Sequence, residues 1–344
     1  MKKTATILFL FSILFLINCK TKSPITDSSS NTYRIAFYNV ENLFDTKDDP
    51  KTKDEEFTPI SKKKWTTERY QEKLDHLTKV VEGMEFPAIL GVSEVENEGV
   101  LQDWCKYQSM AKYDYGIAHF DSPDIRGIDV GLLYQKKAFK VENAEKIVIN
   151  FPKEIVEDYT TRDVLVVTGQ LRDLPVTIFV NHWPSRRGGV AASEPKRMYV
   201  AQQVRKRVDE ILKINPSANL ILMGDFNDEP ENGSLREGLN ASYKGGREIV
   251  VGDLKNCMAD LDLEGKGSYN YRGNWNMLDQ IIVTRNLESG RSGWLVRDAT
   301  VFQQDWMMYE DKKYGARPSR TYGGPRYFGG YSDHLPVYVD LIKL

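Results

Sequence analysis

Hydrophobic runs that each end in a short polar motif recur along most of this 344-residue chain. A buried strand that ends in Asn, Asp, Glu or His carries that polar side chain to one edge of its sheet. Because several strands can end at the same edge, the pattern predicts a sheet-based domain with a single polar site. In chain order the motifs are YNVENLF (38–44), SEVEN (93–97), NHWPSR (181–186), GDFND (224–228), LDQIIV (278–283) and YSDHLPV (331–337).

The apolar pattern predicts more strands than helices. Apolar residues at helical spacing mark two longer helices, over 66–84 and 194–213, with Thr66 or Thr67 as the N-cap of the first. A mixture of hairpins and long crossovers predicts one α/β layered domain with a mixed sheet. A shorter helix is predicted over 100–108, and strands are predicted over 34–40, 88–95, 115–120, 130–135, 164–171, 176–181, 220–224, 280–284 and 335–342.

The charge balance bears on the class of partner. Lys and Arg number 47 and Asp and Glu number 49, which gives a formal net charge of -2. A tight nucleic-acid binder usually shows a basic excess, so the charge gives no support to tight polyanion binding. It does not exclude a nuclease, because a local basic patch can act where the global sum does not.

The first residues are typical of a targeting segment. Lys2 and Lys3 precede an apolar run over 5–17, which is shorter than the roughly 20 residues of a membrane-spanning helix and fits the core of a signal peptide. Cys19 follows at once, as in the lipobox of bacterial lipoproteins. The alternative is an ordinary secretory signal with an incidental Cys.

We therefore predict an extracytoplasmic protein that is lipid-anchored to a bacterial membrane, or otherwise secreted or periplasmic. The remaining thiols, Cys105 and Cys257, are too few for a disulfide framework and are predicted to be packing residues. The predicted organisation is a signal peptide over 1–18, lipid attachment at Cys19, a flexible tether over 19–32 and a catalytic domain over 33–344.

Two motifs carry candidate catalytic groups. In GDFND, Asp225 could orient or deprotonate a water and Asn227 could hold a phosphate oxygen, although the same residues also suit a plain turn. In NHWPSR, His182 could donate a hydrogen bond to a phosphoryl oxygen or protonate a leaving group. Arg186 and its neighbours form a plausible anion cradle around it. A structural role for a lone histidine is the alternative.

The other motifs supply an acidic and amide set. Asp333 and His334 are neighbours, so one could bind a metal ion while the other acts as a base, with Asp279 as a partner that orients His334. Glu94 and Asn39 each follow an apolar strand, where a carboxylate needs a cation or hydrogen-bond donors. Hard oxygen ligands of this kind suit Mg²⁺ or Mn²⁺, and those ions suit phosphate esters.

The order of these motifs, from about Arg34 to the C-terminus, resembles the endonuclease/exonuclease/phosphatase superfamily. The resemblance implies a four-layer α/β sandwich with two packed mixed sheets flanked by helices, and one divalent-metal site at their edge. It implies metal-site roles for Asn39, Glu94 and Asp333. Arg126, Asp129 and Arg162 are candidates for contact with substrate.

The resemblance also implies catalytic roles. Asp225 and Asn227 would position the attacking water and the phosphate. His334, oriented by Asp279, would be the general base, and His182 would stabilise the transition state.

The expected function is hydrolysis of phosphate esters by a monomeric Mg²⁺- or Mn²⁺-dependent phosphodiesterase, most simply a nuclease that acts on DNA or RNA. One alternative keeps the chemistry and changes the substrate to a phospholipid, sphingomyelin or sugar phosphate. The other is a non-catalytic surface binding protein that keeps the fold. The Tyr-rich segment 309–330 is predicted to be a loop, either a stacking surface for substrate or a packed rim.

Overall fold

The computed structural model describes residues 31–243 and 254–344, so the predicted signal peptide, Cys19 and most of the predicted tether lie outside the described residues. Its helices are α1 (Thr67–Gly83), α2 (Glu98–Cys105), α3 (Val190–Ile214), α4 (Ala259–Leu263) and α5 (Arg285–Ser289). Its strands are β1 (Thr32–Leu43), β2 (Ile89–Val95), β3 (Tyr115–His119), β4 (Asp129–Gln135), β5 (Phe139–Ile147), β6 (Val164–Leu171), β7 (Leu174–His182), β8 (Leu220–Asp225), β9 (Ala241–Ser242), β10 (Leu254–Asn256), β11 (Tyr269–Tyr271), β12 (Asn274–Asn276), β13 (Asp279–Thr284), β14 (Trp294–Val301), β15 (Met308–Asp311), β16 (Gly315–Pro318), β17 (Tyr322–Gly323), β18 (Arg326–Tyr327) and β19 (Val337–Lys343).

Two mixed sheets form the centre of the fold. The first has six strands in the order β14-β19-β1-β2-β4-β3, and the second has seven in the order β5-β6-β7-β8-β13-β10-β9. The pairs β1–β2 and β7–β8 are parallel, and the chain crosses between their members through α1 and α3. A parallel pair needs such a crossover, because a tight hairpin can only join antiparallel strands.

Alternation of side chains along the strands builds the layers. On β1, Ile35 and Phe37 belong to the core between the sheets, whereas Ala36 and Tyr38 pack on the outer side with α1. The second sheet follows the same rule, with apolar residues on its outer face packed against α3. A strand buried on both faces is expected where helices cover both outer sides. The predicted four-layer α/β sandwich is thereby confirmed.

The first predicted helix shows how local sequence sets an element. The Thr66 side chain accepts a hydrogen bond from the Arg69 amide at 3.5 Å and caps α1. Leu74, Leu77 and Val81 are buried on one side of the helix. The predicted range of 66–84 is therefore confirmed to within one residue at each end.

Three edge strands (β5, β9 and β14), the strand β10 and three hairpins were not predicted. β5 and β14 are largely exposed or half-buried, so they lack the apolar run that marks a buried strand. The Tyr-rich segment 309–330 is not only a loop, because it holds the hairpins β15–β16 and β17–β18. Tyr322 is buried, with its ring centroid 5.9 Å from that of Trp65, so it packs as part of a rim. Tyr309 and Phe328 keep about half of their surface exposed, and a stacking role for them stays a prediction.

Two further observations concern cysteines and membrane spans. Cys105 and Cys257 are both free thiols, as predicted. Within residues 31–243 and 254–344, every helix is too short or too polar to cross a membrane.

Candidate active site

The polar ends of neighbouring strands meet at one end of the sandwich. Asn39 and Glu94 lie on the adjacent strands β1 and β2 of the first sheet. In the second sheet, His182 on β7 is paired in register with Asp225 on β8, and Asp225 is paired with Asp279 on β13. Asn39 then joins the two sheets, because its Nδ2 donates a hydrogen bond to Oδ2 of Asp225 at 3.0 Å. The sequence-predicted groups are thus brought together as expected.

Asp225 is the centre of this cluster. Its Oδ2 lies 3.6 Å from Nε2 of His182 and 3.9 Å from Nε2 of His334. Burial raises the pKa of Asp225 to about 7; the charge of His334 opposes this rise and that of Asp279 adds to it. A carboxyl group with a pKa near neutrality can both take up and release a proton in the physiological range, as a general base must.

His334 is held by Asp279, as predicted. Its Nδ1 lies 2.6 Å from Oδ2 of Asp279, which also accepts a hydrogen bond from Ser268 Oγ at 2.5 Å. Burial alone would lower the pKa of His334, but the adjacent Asp279 carboxylate, helped by the more distant charges of Asp225 and Asp333, holds it well above its ordinary value. The ring is therefore charged near neutral pH. That state suits donation to developing negative charge better than the predicted general-base role.

His182 is in the opposite state. Burial, reinforced by the positive charges of Arg162 and Arg126, holds the pKa of His182 well below its ordinary value. A neutral imidazole has one donor and one acceptor nitrogen. Nδ1 is buried without a hydrogen-bond partner, and Nε2 lies near the Asp225 carboxylate. The neutral ring can thus donate a hydrogen bond without adding a charge.

Glu94 lies at a bulge near the end of β2. The register against β4 shifts between Ser93 and Val95, and Glu94 adopts φ 62°, in the left-handed region. Bulges and left-handed non-glycine residues are concentrated next to active sites, where they re-aim a side chain. Here the Oε1 atom of Glu94 lies 3.9 Å from Nε2 of His182, and Oε2 accepts a hydrogen bond from the Asn42 amide at 3.2 Å.

The donor set of this cluster fits a hard divalent cation. In the described part of the chain, neither Glu94 nor Asp225 forms an ion pair with Lys or Arg; their ion-pair contacts are with imidazole groups. Carboxylate oxygens that no Lys or Arg occupies are the ligands that Mg²⁺ and Mn²⁺ accept. Glu94 with Asn39 could hold such an ion.

A different trio, Asp225, Asp279 and His334, has ligand atoms within 4.8 Å of one another. We favour the side of Glu94 as the ion site, because Asp279 already holds His334 as an imidazolium, and that positive charge disfavours a second cation beside it.

Asp333 is placed differently from the other predicted metal-site residues. Its carboxylate pairs with the Arg320 guanidinium, whose Nε lies 3.8 Å from Oε1 of Glu41. Glu41 accepts a 2.6 Å hydrogen bond from the Thr321 amide, and the fully buried Lys73 donates to the Thr321 hydroxyl at 2.8 Å. Sequence analysis missed this network. Its one visible signal is that Glu41 lies in the same motif as Asn39.

Asn227 and Arg186 shape the loop after β8. The Asn227 amide N–H donates to Oδ1 of Asp225 at 2.9 Å, and its side-chain Nδ2 donates to the Trp183 carbonyl at 3.0 Å. Arg186 donates from Nε to the Asn227 carbonyl at 2.8 Å. Asn227 thus fixes the carboxylate of Asp225. Arg186 supports the loop through its hydrogen bond to the Asn227 carbonyl, and its predicted contact with substrate stays a prediction.

The other candidates for substrate contact differ in access. Arg162 is buried and donates to the carbonyls of His182 and Trp183 at 3.1 and 2.6 Å, so it fixes the backbone at His182. Asp129 is buried against Nε2 of His119 at 3.1 Å. The Arg126 side chain keeps 48% exposure and acts electrostatically on both Glu94 and His182. Of these candidates, Arg126 is the one open to an incoming anion.

Solved structures with a similar fold were found by comparison. Humanized D. rerio TDP2 with 14 mutations superposes with a TM-score of 0.55 at 14% identity, covering 91% of this chain and 99% of that one. The mannosyl-6-phosphatase of Bacteroides thetaiotaomicron gives a TM-score of 0.55 at 16% identity, covering 90% and 99%. The human Nocturnin catalytic domain with a bound sulfate gives 0.53 at 15%, covering 91% and 94%. At these identities the likeness shows the fold.

The family itself is shown by sequence. No curated protein gives a significant match. A family model described as Endonuclease/Exonuclease/phosphatase family matches residues 34–343, almost the whole of the described chain. The activities in that description are all hydrolyses of phosphate esters. With the fold and the strand-end cluster described above, the chain belongs to the endonuclease/exonuclease/phosphatase family.

Proposed function

We propose that this protein is a divalent-metal-dependent phosphodiesterase, with DNA or RNA as its first substrate class. The observation that carries the proposal is the cluster around Asp225, where a carboxyl group with a pKa of about 7 lies between a neutral and a charged imidazole. Groups suited to act as a general base, a donor and a charge stabiliser therefore lie together at one end of the sandwich. A purely structural cluster does not need a neutral imidazole, a charged imidazole and a carboxyl group with a raised pKa next to one another.

The residues divide the chemistry among themselves. A bound Mg²⁺ or Mn²⁺ ion, held by Glu94 and Asn39, would neutralise charge on the phosphate oxygens. A contact between this ion and Asp333, which pairs with Arg320, stays a prediction. Asp225 takes a proton from the attacking water. His182 donates a hydrogen bond to a phosphoryl oxygen, and His334 stabilises the negative charge that develops in the transition state.

The proposal is tested with the purified chain on plasmid DNA, RNA, sphingomyelin and inositol phosphates, in Mg²⁺, Mn²⁺ or EDTA. Glu94→Gln and His182→Ala should each lower the rate at least about a hundredfold, because they remove an ion ligand and a donor to the transition state. Matched controls are Glu98→Gln, which is exposed on α2, and His76→Ala, whose ring stacks on Tyr331 and lies near the Gly330 carbonyl rather than against the groups around Asp225.

Cleavage that survives EDTA, or that proceeds in both site variants at the wild-type rate, would contradict the assigned site. Failure of the wild type on every substrate in every metal would support the alternative of a non-catalytic binding protein.

A second substrate class has its own support. The net charge of -2 gives nucleic acid no global attraction. The superposition with a structure described as a mannosyl-6-phosphatase also covers 99% of that chain. A sugar phosphate monoester is therefore the second candidate, and mannose 6-phosphate is added to the panel. Release of phosphate from it with no nicking of plasmid would favour the monoesterase.

A lipid anchor at Cys19 is proposed for location, on the apolar run and the following Cys in the sequence. Radiolabelled palmitate should label the wild type in bacterial cells and fail to label Cys19→Ser. Cys105→Ser is the matched control and should be labelled like the wild type, because Cys105 is a buried thiol inside the domain. Equal labelling of Cys19→Ser would refute the anchor.

A further inference from the structure

A cluster of four carboxylates lies apart from the catalytic groups, where the loop after β1 meets the end of β2. Asp45, Asp49 and Asp54 belong to the loop, and Glu96 follows β2. Oε2 of Glu96 accepts a hydrogen bond from the Asp45 amide at 2.6 Å, and Oδ2 of Asp54 accepts one from the Asp49 amide at 3.1 Å. The charges of Asp45, Asp54 and Asp49 are all close enough to repel Glu96.

Asp54 is the unusual member. It is 1% exposed, and its Oδ1 is buried without a hydrogen-bond partner. It stands at the N-cap position of the short 3-10 helix Glu55–Phe57, yet its side chain does not cap that helix. Burying an ionised carboxylate oxygen without a donor or a cation is costly. The free oxygen therefore indicates a positively charged occupant.

The protein itself supplies no such charge. Among residues 31–243 and 254–344, no Lys or Arg forms an ion pair with any of the four acids, whereas most other buried carboxylates are paired in this way or with His. The loop is packed in place, because the Lys53 amide donates to the Ile125 carbonyl at 2.8 Å and Thr52 lies against Gly127. Three carboxylates of an ordered loop and that of Glu96 are thus gathered in one place, without an ion-pair partner among the described residues.

We propose that the 45–54 loop and Glu96 bind a Ca²⁺ ion that stabilises the fold, at a site separate from the catalytic ion. Ca²⁺ takes six to eight oxygen ligands in flexible geometry, and accepts carboxylates, backbone carbonyls and waters together. A surface loop with several acids meets that demand more readily than it meets the strict octahedron of Mg²⁺. Glu94 and Glu96 accept hydrogen bonds from different amides, those of Asn42 and Asp45.

The test uses the full chain stripped of metal, with Glu94→Gln as the background so that the catalytic ion site is disabled. Calcium binding is measured by equilibrium dialysis with ⁴⁵Ca²⁺, and the melting temperature is measured with and without Ca²⁺. The background variant should bind about one ion per chain, and its melting temperature should rise on binding. Adding Asp54→Asn should weaken that binding at least about tenfold and abolish the rise.

Asp48→Asn is the matched control, because Asp48 is exposed in the same loop and should leave both readings unchanged. Asp54→Asn removes a repelling charge at constant size, so the metal-free variant should melt no lower than its parent. If it does not fold, Asp45→Asn replaces it with the same expected loss. The proposal is overturned if the background variant takes up no calcium, or if Asp54→Asn and Asp45→Asn bind as tightly as Asp48→Asn. Neither outcome bears on hydrolysis.

Discussion

Asp225→Asn should lower the hydrolysis rate at least about a hundredfold and, in EDTA above pH 7, raise the melting temperature. Activity falls because the amide cannot take a proton from water. Stability rises because the ionised Asp225 is buried, and its contacts include a hydrogen bond from Asn39 but no ion pair with Lys or Arg in the described chain. A gain of stability with a loss of function is the pattern of a residue kept for chemistry.

The pH dependence has a definite sign. The folded-state pKa of Asp225 is raised to about 7 from 3.8, so between these values the folded protein holds a proton that the unfolded chain releases. The free energy of unfolding of the wild type therefore falls as pH rises through this window. Asn does not titrate, so the difference in melting temperature between the variants should be small at pH 4 and largest above pH 7. The wild-type rate should rise as pH increases through about 7.

Melting curves and initial rates at pH 5 and pH 8 measure both effects. Asp209→Asn, an exposed acid on α3, is the matched control and should change neither. If Asp225→Asn melts below the wild type at pH 8, or if the wild-type rate is flat between pH 5 and 8, Asp225 is not the group that titrates in catalysis.

The largest loss of stability is expected from Arg197→Met. Arg197 and Asp228 are both fully buried, and Nε of Arg197 lies 2.7 Å from Oδ2 of Asp228, although its N–H is not aligned for a hydrogen bond. Removing the guanidinium leaves the buried Asp228 with only the more distant Arg186, whose Nε lies 3.6 Å from Oδ1, so the free energy of unfolding should fall by about 3 kcal/mol. Urea denaturation measures the change.

The surface residue Arg207 provides the comparison. It pairs with Glu145 and Glu210 in partly exposed positions, so Arg207→Met should cost about 1 kcal/mol or less. Combining Arg197→Met with Asp228→Asn should cost less than the sum of the two single changes, because the second removes the charge that the first deprives of its closest partner. Strict additivity would show that the two groups do not act on each other.

The sequence predicted best those features that depend on the residue pattern of a single strand. Buried runs that end in Asn39, Glu94, His182 and Asp225 predicted a common site, and the structure brings these residues together at one end of the two sheets. The edge strand β5 was not predicted, because an exposed strand carries charged residues without an apolar run. Strand patterns encode which face is buried, and that information is local.

Roles that depend on distant partners could not be predicted. The buried guanidinium of Arg162 is satisfied by carbonyls some twenty residues away, and no local pattern marks such a pairing. The partner of Asp333 is a guanidinium 13 residues earlier. The charge state of His334 follows from a 2.6 Å contact with Asp279, which the sequence suggested, but the resulting direction of the pKa needed the burial of both groups.

The hydrogen bond from Asn39 to Asp225 links the two β-sheets inside the candidate active site, so the distance between the sheets affects the geometry of that site. The first sheet carries the proposed ion ligands Asn39 and Glu94, and the second carries His182 and Asp225. The alignment of the two sets therefore depends on the thickness of the hydrophobic core between the sheets. Adding or removing one methylene group in that core can therefore change the turnover rate without altering any polar group of the site. Related chains can diverge in rate or preference through their cores while the motifs at the rim stay the same.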